Sequence, residues 1–327
     1  MQAAIRDRYG TPDIVRVEEI EKPIPGQGDL LVRVRAAAVN RADLDGLVPR
    51  PGFTRLFMGI RKPRVRRVGI DVAGVVEAVG PGVTGFQPGD EVFADLFTFG
   101  QGAFAEYVSA PEKAFAKMSA GMTFEDAATL PHSAILALQA LRLRSGRTVR
   151  PGDKVLVEGA SGNVGPFAVQ IAKSMGATVT GVCSTTKMDL VRSLGADFVI
   201  DYTKVDYTTT GERYDWIVSS EPHHWLLRYR RALRPKGVYV TLGAPSTRSF
   251  FSLLAGTLIS KATSNSMGLM LWWKPFHAPD VATLRALIAA GKLKPVIDRR
   301  YPLSEVVEAL RYVDEGRAKG KVIITIP

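Results

Sequence analysis

The run Val155-Leu156-Val157-Glu158-Gly159-Ala160-Ser161-Gly162-Asn163-Val164-Gly165 has residue types and spacing suited to binding an anion. An apolar strand feeds a turn with glycine at every third position. Val164, Phe167, Ala168, Ile171, Ala172 and Met175 then follow at helical spacing. Glycines permit a sharp turn and a close backbone approach to a pyrophosphate, and the helix start adds free N–H donors and a positive dipole end. Gly159, Ala160, Ser161, Gly162, Asn163, Val164 and Gly165 are therefore candidate dinucleotide contacts. The next strand ends Gly181-Val182-Cys183-Ser184-Thr185-Thr186-Lys187. NAD-binding sites place an acid about 20 residues after the loop to hold the adenosine ribose hydroxyls. Here hydroxyls and a cation stand instead, and Ser184, Thr185 and Lys187 suit the 2′-phosphate of NADPH. The plainer reading has Ser184 or Thr185 capping the next helix and Lys187 solvated; the two are compatible.

Metal chemistry finds little support. The single cysteine, Cys183, excludes an intrachain disulfide, a four-cysteine zinc site and an iron–sulfur cluster. His132, His223, His224 and His277 form no HxH or HxxxH pair. Over 327 residues, 43 Lys+Arg against 32 Asp+Glu give a formal charge of +11. Much of the excess lies between Gly46 and Ile70, where Arg50, Arg55, Arg61, Lys62, Arg64, Arg66 and Arg67 meet no acid. Such a segment is either a solvated loop or an electropositive rim for an anionic partner; no aromatic interleaving points to nucleic acid. No apolar run reaches the ~18–20 residues of a membrane span, and Met1–Asp7 lacks a signal-peptide core, so a cytosolic protein with no membrane contact is expected.

The elements that must position these groups change character along the chain. Residues 1–122 are β-rich, with runs at Leu30–Val34, Val72–Val79, Glu91–Ala94 and Phe104–Ser109 between Gly/Pro turns. Thr123–Leu143 reads as helix that Pro131 must kink or divide. From Pro151 the strands Lys154–Glu158, Thr178–Cys183, Phe198–Ile200, Asp215–Ser219 and Val238–Leu242 alternate with helices, which implies βαβ units and a parallel sheet. An irregular apolar stretch (Phe250–Phe276) precedes helices at Asp280–Ala290 and Ser304–Gly316 and a last strand, Val322–Ile326.

These motifs, in this order, resemble the medium-chain dehydrogenase/reductase superfamily, in its zinc-independent quinone oxidoreductase-like branch. The resemblance runs through Val39-Asn40-Arg41-Ala42-Asp43, Gly69–Gly80 (GIDVAGVVEAVG), Phe86–Val92 (FQPGDEV), Gly102–Tyr107 (GAFAEY), the glycine loop, Leu194-Gly195-Ala196-Asp197 and Gly316–Lys321 (GRAKGK). It implies an α/β fold: a GroES-like, β-rich catalytic domain (1–122), a Rossmann NADP-binding domain with a doubly wound parallel sheet (123–274), and a return to the catalytic domain (275–327). Zinc-dependent members carry Gly-His-Glu where this chain has Gly69-Ile70-Asp71, so no metal is expected. Without a Lewis acid, alcohol oxidation is disfavoured. Hydride delivery from NADPH to a quinone or an α,β-unsaturated carbonyl is what the resemblance implies.

The same resemblance places Asn40 at the nicotinamide end, either orienting the ring or substrate or bracing its loop. Asp43 is expected to cap a turn. Asp45, a candidate substrate contact, stands where many relatives have a cleft tyrosine, which leaves the proton donor to water or a cofactor ribose hydroxyl. Lys321 is implied near the cofactor phosphates or ribose, Tyr202 beside the adenosine, and Leu242-Gly243 along the nicotinamide. Phe97 and Phe99 are candidate substrate contacts, while Met267–Trp273 reads as packing or interface. Relatives also pair through edge strands, so a homodimer is implied. Rival readings are a metal-free alcohol or ketone reductase and a non-catalytic NADPH-binding sensor or RNA-binding protein.

Overall fold

The computed structural model describes residues 1–49, 52–143, 145–243, 256, 260, 264–270 and 273–327. Arg50 of the basic segment, Leu271 and Trp272 of the Met267–Trp273 stretch, and most of 250–263 lie outside the described residues.

The N-terminal half is built on antiparallel strands. β1 (Gln2–Ile5) pairs with β2 (Arg16–Glu19), and β3 (Asp29–Val39) continues into helix α1 (Arg41–Leu47), followed by the short α2 (Arg55–Met58). Strands β4 (Asp71–Val79), β5 (Glu91–Asp95), β6 (Tyr107–Pro111) and β7 (Phe115–Lys117) complete this half. The expected strand Phe104–Ser109 is displaced, because Ala105 bridges Ala3 of β1 and pairing with β3 begins at Tyr107. The cause is a tight crossing at Gly69, whose φ is +97° and where a Cβ would stand 2.6 Å from the Phe104 nitrogen.

Pro131 divides the next helical run as its chemistry requires, into α3 (Phe124–Thr129) and α4 (Ser133–Ala140). α3 packs on β3 and β4, whereas α4 packs on the helix that follows the glycine loop, so the Leu130–His132 corner joins the two halves.

The parallel half comprises β8 (Lys154–Glu158), α5 (Gly165–Ser174), β9 (Thr178–Cys183), α6 (Met188–Ser193), β10 (Phe198–Asp201), β11 (Tyr214–Ser219), α7 (Leu226–Arg231), β12 (Leu233–Thr241) and β13 (Ser266–Leu269). The sheet order β10-β9-β8-β11-β12-β13, all parallel, is the doubly wound order. Its direction of winding reverses between β8 and β11, and a ligand crevice lies outside the strand ends at such a reversal. The chain then returns through α8 (Ala278–Ala289), β14 (Ile297–Pro302), α9 (Val306–Asp314) and β15 (Lys321–Thr325). β15 lies antiparallel to β3, closing the first sheet as β14-β15-β3-β4-β5-β7 with β6 also on β3. No helix among the described residues is long and apolar enough to cross a membrane.

Candidate functional site

The glycine loop sits at the winding reversal. Gly159 follows β8 at φ +78°, and a Cβ there would lie 2.2 Å from Ser220 Oγ, at the end of β11. A Cβ on Gly165 would lie 2.1 Å from the Gly159 carbonyl oxygen, so the helix packs backbone to backbone on the loop. Gly162 differs: its absent Cβ meets nothing nearer than the Gly159 oxygen at 3.5 Å and points into open space. The amides of Ser161, Asn163, Val164 and Gly165 donate to no acceptor among the described residues. Open space beside free donors at the start of a ten-residue helix fits a pyrophosphate. Asn163 Nδ2 reaches the Val39 carbonyl (3.4 Å), so the loop touches the end of β3 in the other half. Beneath it, Glu158 is buried and accepts from Tyr207 (3.1 Å), Tyr229 (2.9 Å) and Ser219, and burial pushes its carboxyl up.

At the end of β9 the half-buried Ser184 and exposed Thr185 border the crevice, but two features were not legible in sequence. Asp201, at the end of β10, pairs across to Cys183 and accepts from the Thr185 hydroxyl, which brings an acid beside this corner. Lys187 Nζ donates to the carbonyls of Gly316 (2.8 Å) and Ala318 (2.7 Å), tying this strand end to the segment before β15. One of its three ammonium hydrogens is left for a phosphate. The exposed Tyr202 ring lies beside His223 at 6.2 Å and 30°, an aromatic shelf just past the end of β10. Leu242 donates its amide to Ser219, and Gly243 accepts from the Thr241 hydroxyl (2.9 Å), so both line the far strand end.

Just past Val39, where the loop meets β3, lies a buried polar cluster. Asn40 Nδ2 donates to Asp71 Oδ2 (2.9 Å) and to the Ala38 carbonyl (3.2 Å), and Oδ1 accepts from Ser133 Oγ (3.0 Å) and Lys321 Nζ (2.6 Å). With both amide hydrogens committed and 1% exposure, Asn40 braces the cluster and has no donor left to orient a ring. Lys321, equally buried, bonds Asn40, Ser133 (3.1 Å) and Asp71 (3.4 Å), so its ammonium is held within this cluster. Asp43 accepts from the Asn40 amide (2.8 Å), capping α1. Burial pushes its carboxyl up to about 7 and that of Asp71 up to about 6, the latter despite the Lys321 ammonium.

Asp45 and Phe99, both candidate substrate contacts, have partners of their own. Asp45 follows Asp43 by two residues, about 200° around the helix, and turns outward to pair with Arg41 (3.4 Å). Phe99 packs on the core of the antiparallel half, with the Lys113 ammonium over its ring, and not beside Phe97.

Phe97 instead meets a residue that the sequence did not single out. Its ring lies 5.6 Å from the His132 imidazole and 5.3 Å from the Trp273 indole, and the latter two rings are 5.1 Å apart. Because Pro131 breaks the helix, the His132 amide lies outside any helical ladder and donates to Asp71 Oδ1 (3.0 Å). Its imidazole Nδ1 bonds Asp95 Oδ2 (3.0 Å), at the end of β5. Trp273 is placed by Gln139 of α4, which both donates to the carbonyl of Lys274 (2.9 Å) and accepts from its amide (3.0 Å).

Known proteins share this fold. Residues 26–120 match the alcohol dehydrogenase GroES-like domain, and residues 194–324 match the family described as zinc-binding dehydrogenase. The mitochondrial NAD(P)H oxidoreductase RTN4IP1 of Mus musculus is 31% identical over 357 residues, spanning 100% of this chain and 89% of its own. The chloroplastic quinone-oxidoreductase QR1 of Triphysaria versicolor is 32% identical, spanning 99% of this chain and 98% of its own. The solved quinone oxidoreductase of Coxiella burnetii superposes with a TM-score of 0.87 at 25% identity, over 100% of this chain and 99% of its own. The chain belongs to the medium-chain dehydrogenase/reductase superfamily, in its quinone oxidoreductase-like branch.

Proposed function

We propose that the protein is an NADPH-dependent oxidoreductase that reduces quinones or α,β-unsaturated carbonyls without a metal. The observation that carries this reading is the crevice itself, with an anion cradle at one end and, at the other, an imidazole–carboxylate pair between aromatic rings. The cofactor supplies hydride when bound. The space beside Gly162 and the free amides of Ser161, Asn163, Val164 and Gly165 hold its pyrophosphate, while Ser184, Thr185 and Lys187 favour the 2′-phosphate and Tyr202 flanks the adenine. Phe97 and Trp273 wall the acceptor and exclude water. Ile70, buried and apolar, offers no donor atom, and no three His, Cys, Asp or Glu side chains converge on one point among the described residues. An acceptor that is already electrophilic suits such a site better than an alcohol, which needs its proton removed first. The names of the quinone oxidoreductase relatives support the same acceptor class.

The test is steady-state NADPH oxidation against quinones, enals, simple ketones and, in reverse, alcohols. Turnover with the first two classes and none with alcohols is expected; the opposite ranking refutes the reading. A homodimer through the β13 edge of the parallel sheet belongs to the same proposal. Sedimentation at about twice the 35.5 kDa chain mass is expected.

A further inference from the structure

We propose that His132 is the proton donor of this site: its Nε2 protonates the oxygen of the reduced acceptor while Asp95 holds the opposite ring nitrogen. This deepens the functional reading above and rests on it. The geometry fixes the roles of the two nitrogens. Nδ1 faces the fully buried Asp95 carboxylate at 3.0 Å, so it keeps its hydrogen in every protonation state. Nε2 has no bonding partner among the described residues, whereas Nδ1, the His132 amide, the Asn40 amide group and the Lys321 ammonium are all engaged. The imidazole side chain is 10% exposed, which leaves a narrow approach between its aromatic neighbours.

The neighbouring indole provides a second, independent sign of a ligand. Trp273 Nε1 is buried and has no hydrogen-bond partner. An orphan donor of this kind in a folded protein marks a place where a ligand or water completes the bonding. Rings of Phe97 and Trp273 beside one imidazole make a slot for a flat, conjugated acceptor.

The chemistry balances. Hydride arriving on a quinone or enone leaves a hydroquinone monoanion or an enolate, with its charge on oxygen. The imidazolium gives its Nε2 proton to that oxygen and remains as the neutral Nδ1–H tautomer against Asp95. Water then restores the proton. The charged groups facing the ring favour the imidazolium overall. Burial opposes it, but Asp95 on β5 and Asp71 on β4 outweigh both burial and Lys321 on β15, and hold the pKa above the usual histidine value. Asp43 on α1, itself responsive to His132, adds to the acidic side.

The test uses wild type and His132→Gln with a quinone and an enal, and heteronuclear NMR of the imidazole nitrogens in the free protein. In wild type, kcat/KM falls as pH rises through the His132 pKa. His132→Gln removes that limb and lowers kcat by about 100-fold, while the Kd for NADPH stays within about twofold. The imidazole resonance lost in the variant titrates above the usual histidine range, and Asp95→Asn moves it down. His132→Ala regains turnover with added imidazole, which separates a lost proton donor from a damaged fold. A variant that keeps the wild-type pH limb, or a resonance that titrates at or below the usual range, overturns the assignment and leaves the functional reading standing. A wild-type protein inert to every acceptor refutes that reading, and the assignment with it.

Discussion

Alanine at Gly162 and alanine at Gly165 should have opposite effects, although the two glycines are three residues apart in one loop. At Gly165 the new methyl would stand 2.1 Å from the Gly159 oxygen and 2.5 Å from Ala160 Cα, both of them backbone atoms without freedom to swing away. Relieving the clash means lifting α5 off the loop, an overpacking strain of about 1–3 kcal/mol that lowers Tm by several degrees. At Gly162 the nearest atom is 3.5 Å away, an ordinary contact, and φ lies outside the left-handed region. Here alanine restricts the unfolded chain and stabilises the free protein by about 0.4–1 kcal/mol. Its methyl, however, occupies the space beside the free amides. Losing one charge-assisted bond to a phosphate, worth about 1.5–3 kcal/mol, raises the Kd for NADPH by about 10–100-fold. Calorimetric melting of the free protein and fluorescence titration with NADPH read the two effects separately. A Gly162→Ala protein that binds NADPH as wild type does would show that the loop is a structural turn and not a cradle.

Two further perturbations probe opposite ends of the crevice. Burial raises the Asp43 carboxyl from 3.8 to about 7, so the folded state holds that proton more tightly than the unfolded chain. The resulting stability is present below about pH 4 and lost as pH rises through about 7, on the order of 4 kcal/mol. Asp43→Asn cannot titrate, so the Tm of the variant relative to wild type climbs across that window; a constant difference contradicts the burial argument. Lys187→Ala should weaken NADPH by about 10–100-fold and NADH much less, by paired titrations. An equal loss for both would show that the clasp on the carbonyls of Gly316 and Ala318 matters for folding and not for phosphate recognition.

What the sequence disclosed was governed by local physics. The strand–glycine–helix run, the βαβ alternation and the helix break at Pro131 each follow from the preferences of a few adjacent residues, and the structure contains all three. What it concealed depends on distant pairs. His132 has a lone, unremarkable place in the sequence, and its meaning comes from Asp95 and Asp71, 37 and 61 residues away. Asp201 reaches Thr185 only because β9 and β10 lie side by side. Motif position alone did not show which way Asp45 turns; the turn of α1 that directs Asp43 inward carries Asp45 toward Arg41. Asn40 was legible as a site residue, but not the four bonds that make it a brace.

If this crevice passes hydride from a nicotinamide to a conjugated acceptor, isotope transfer reads that step itself. NADPH deuterated on either face of the reactive ring carbon is incubated with the enzyme and an enal or a quinone, and the product of the enal reaction is analysed by mass spectrometry and NMR. Deuterium from one face alone is expected on the β-carbon of the saturated product, with NADPH consumed in equal amount. Tight NADPH binding with no transfer of deuterium to any acceptor would contradict it.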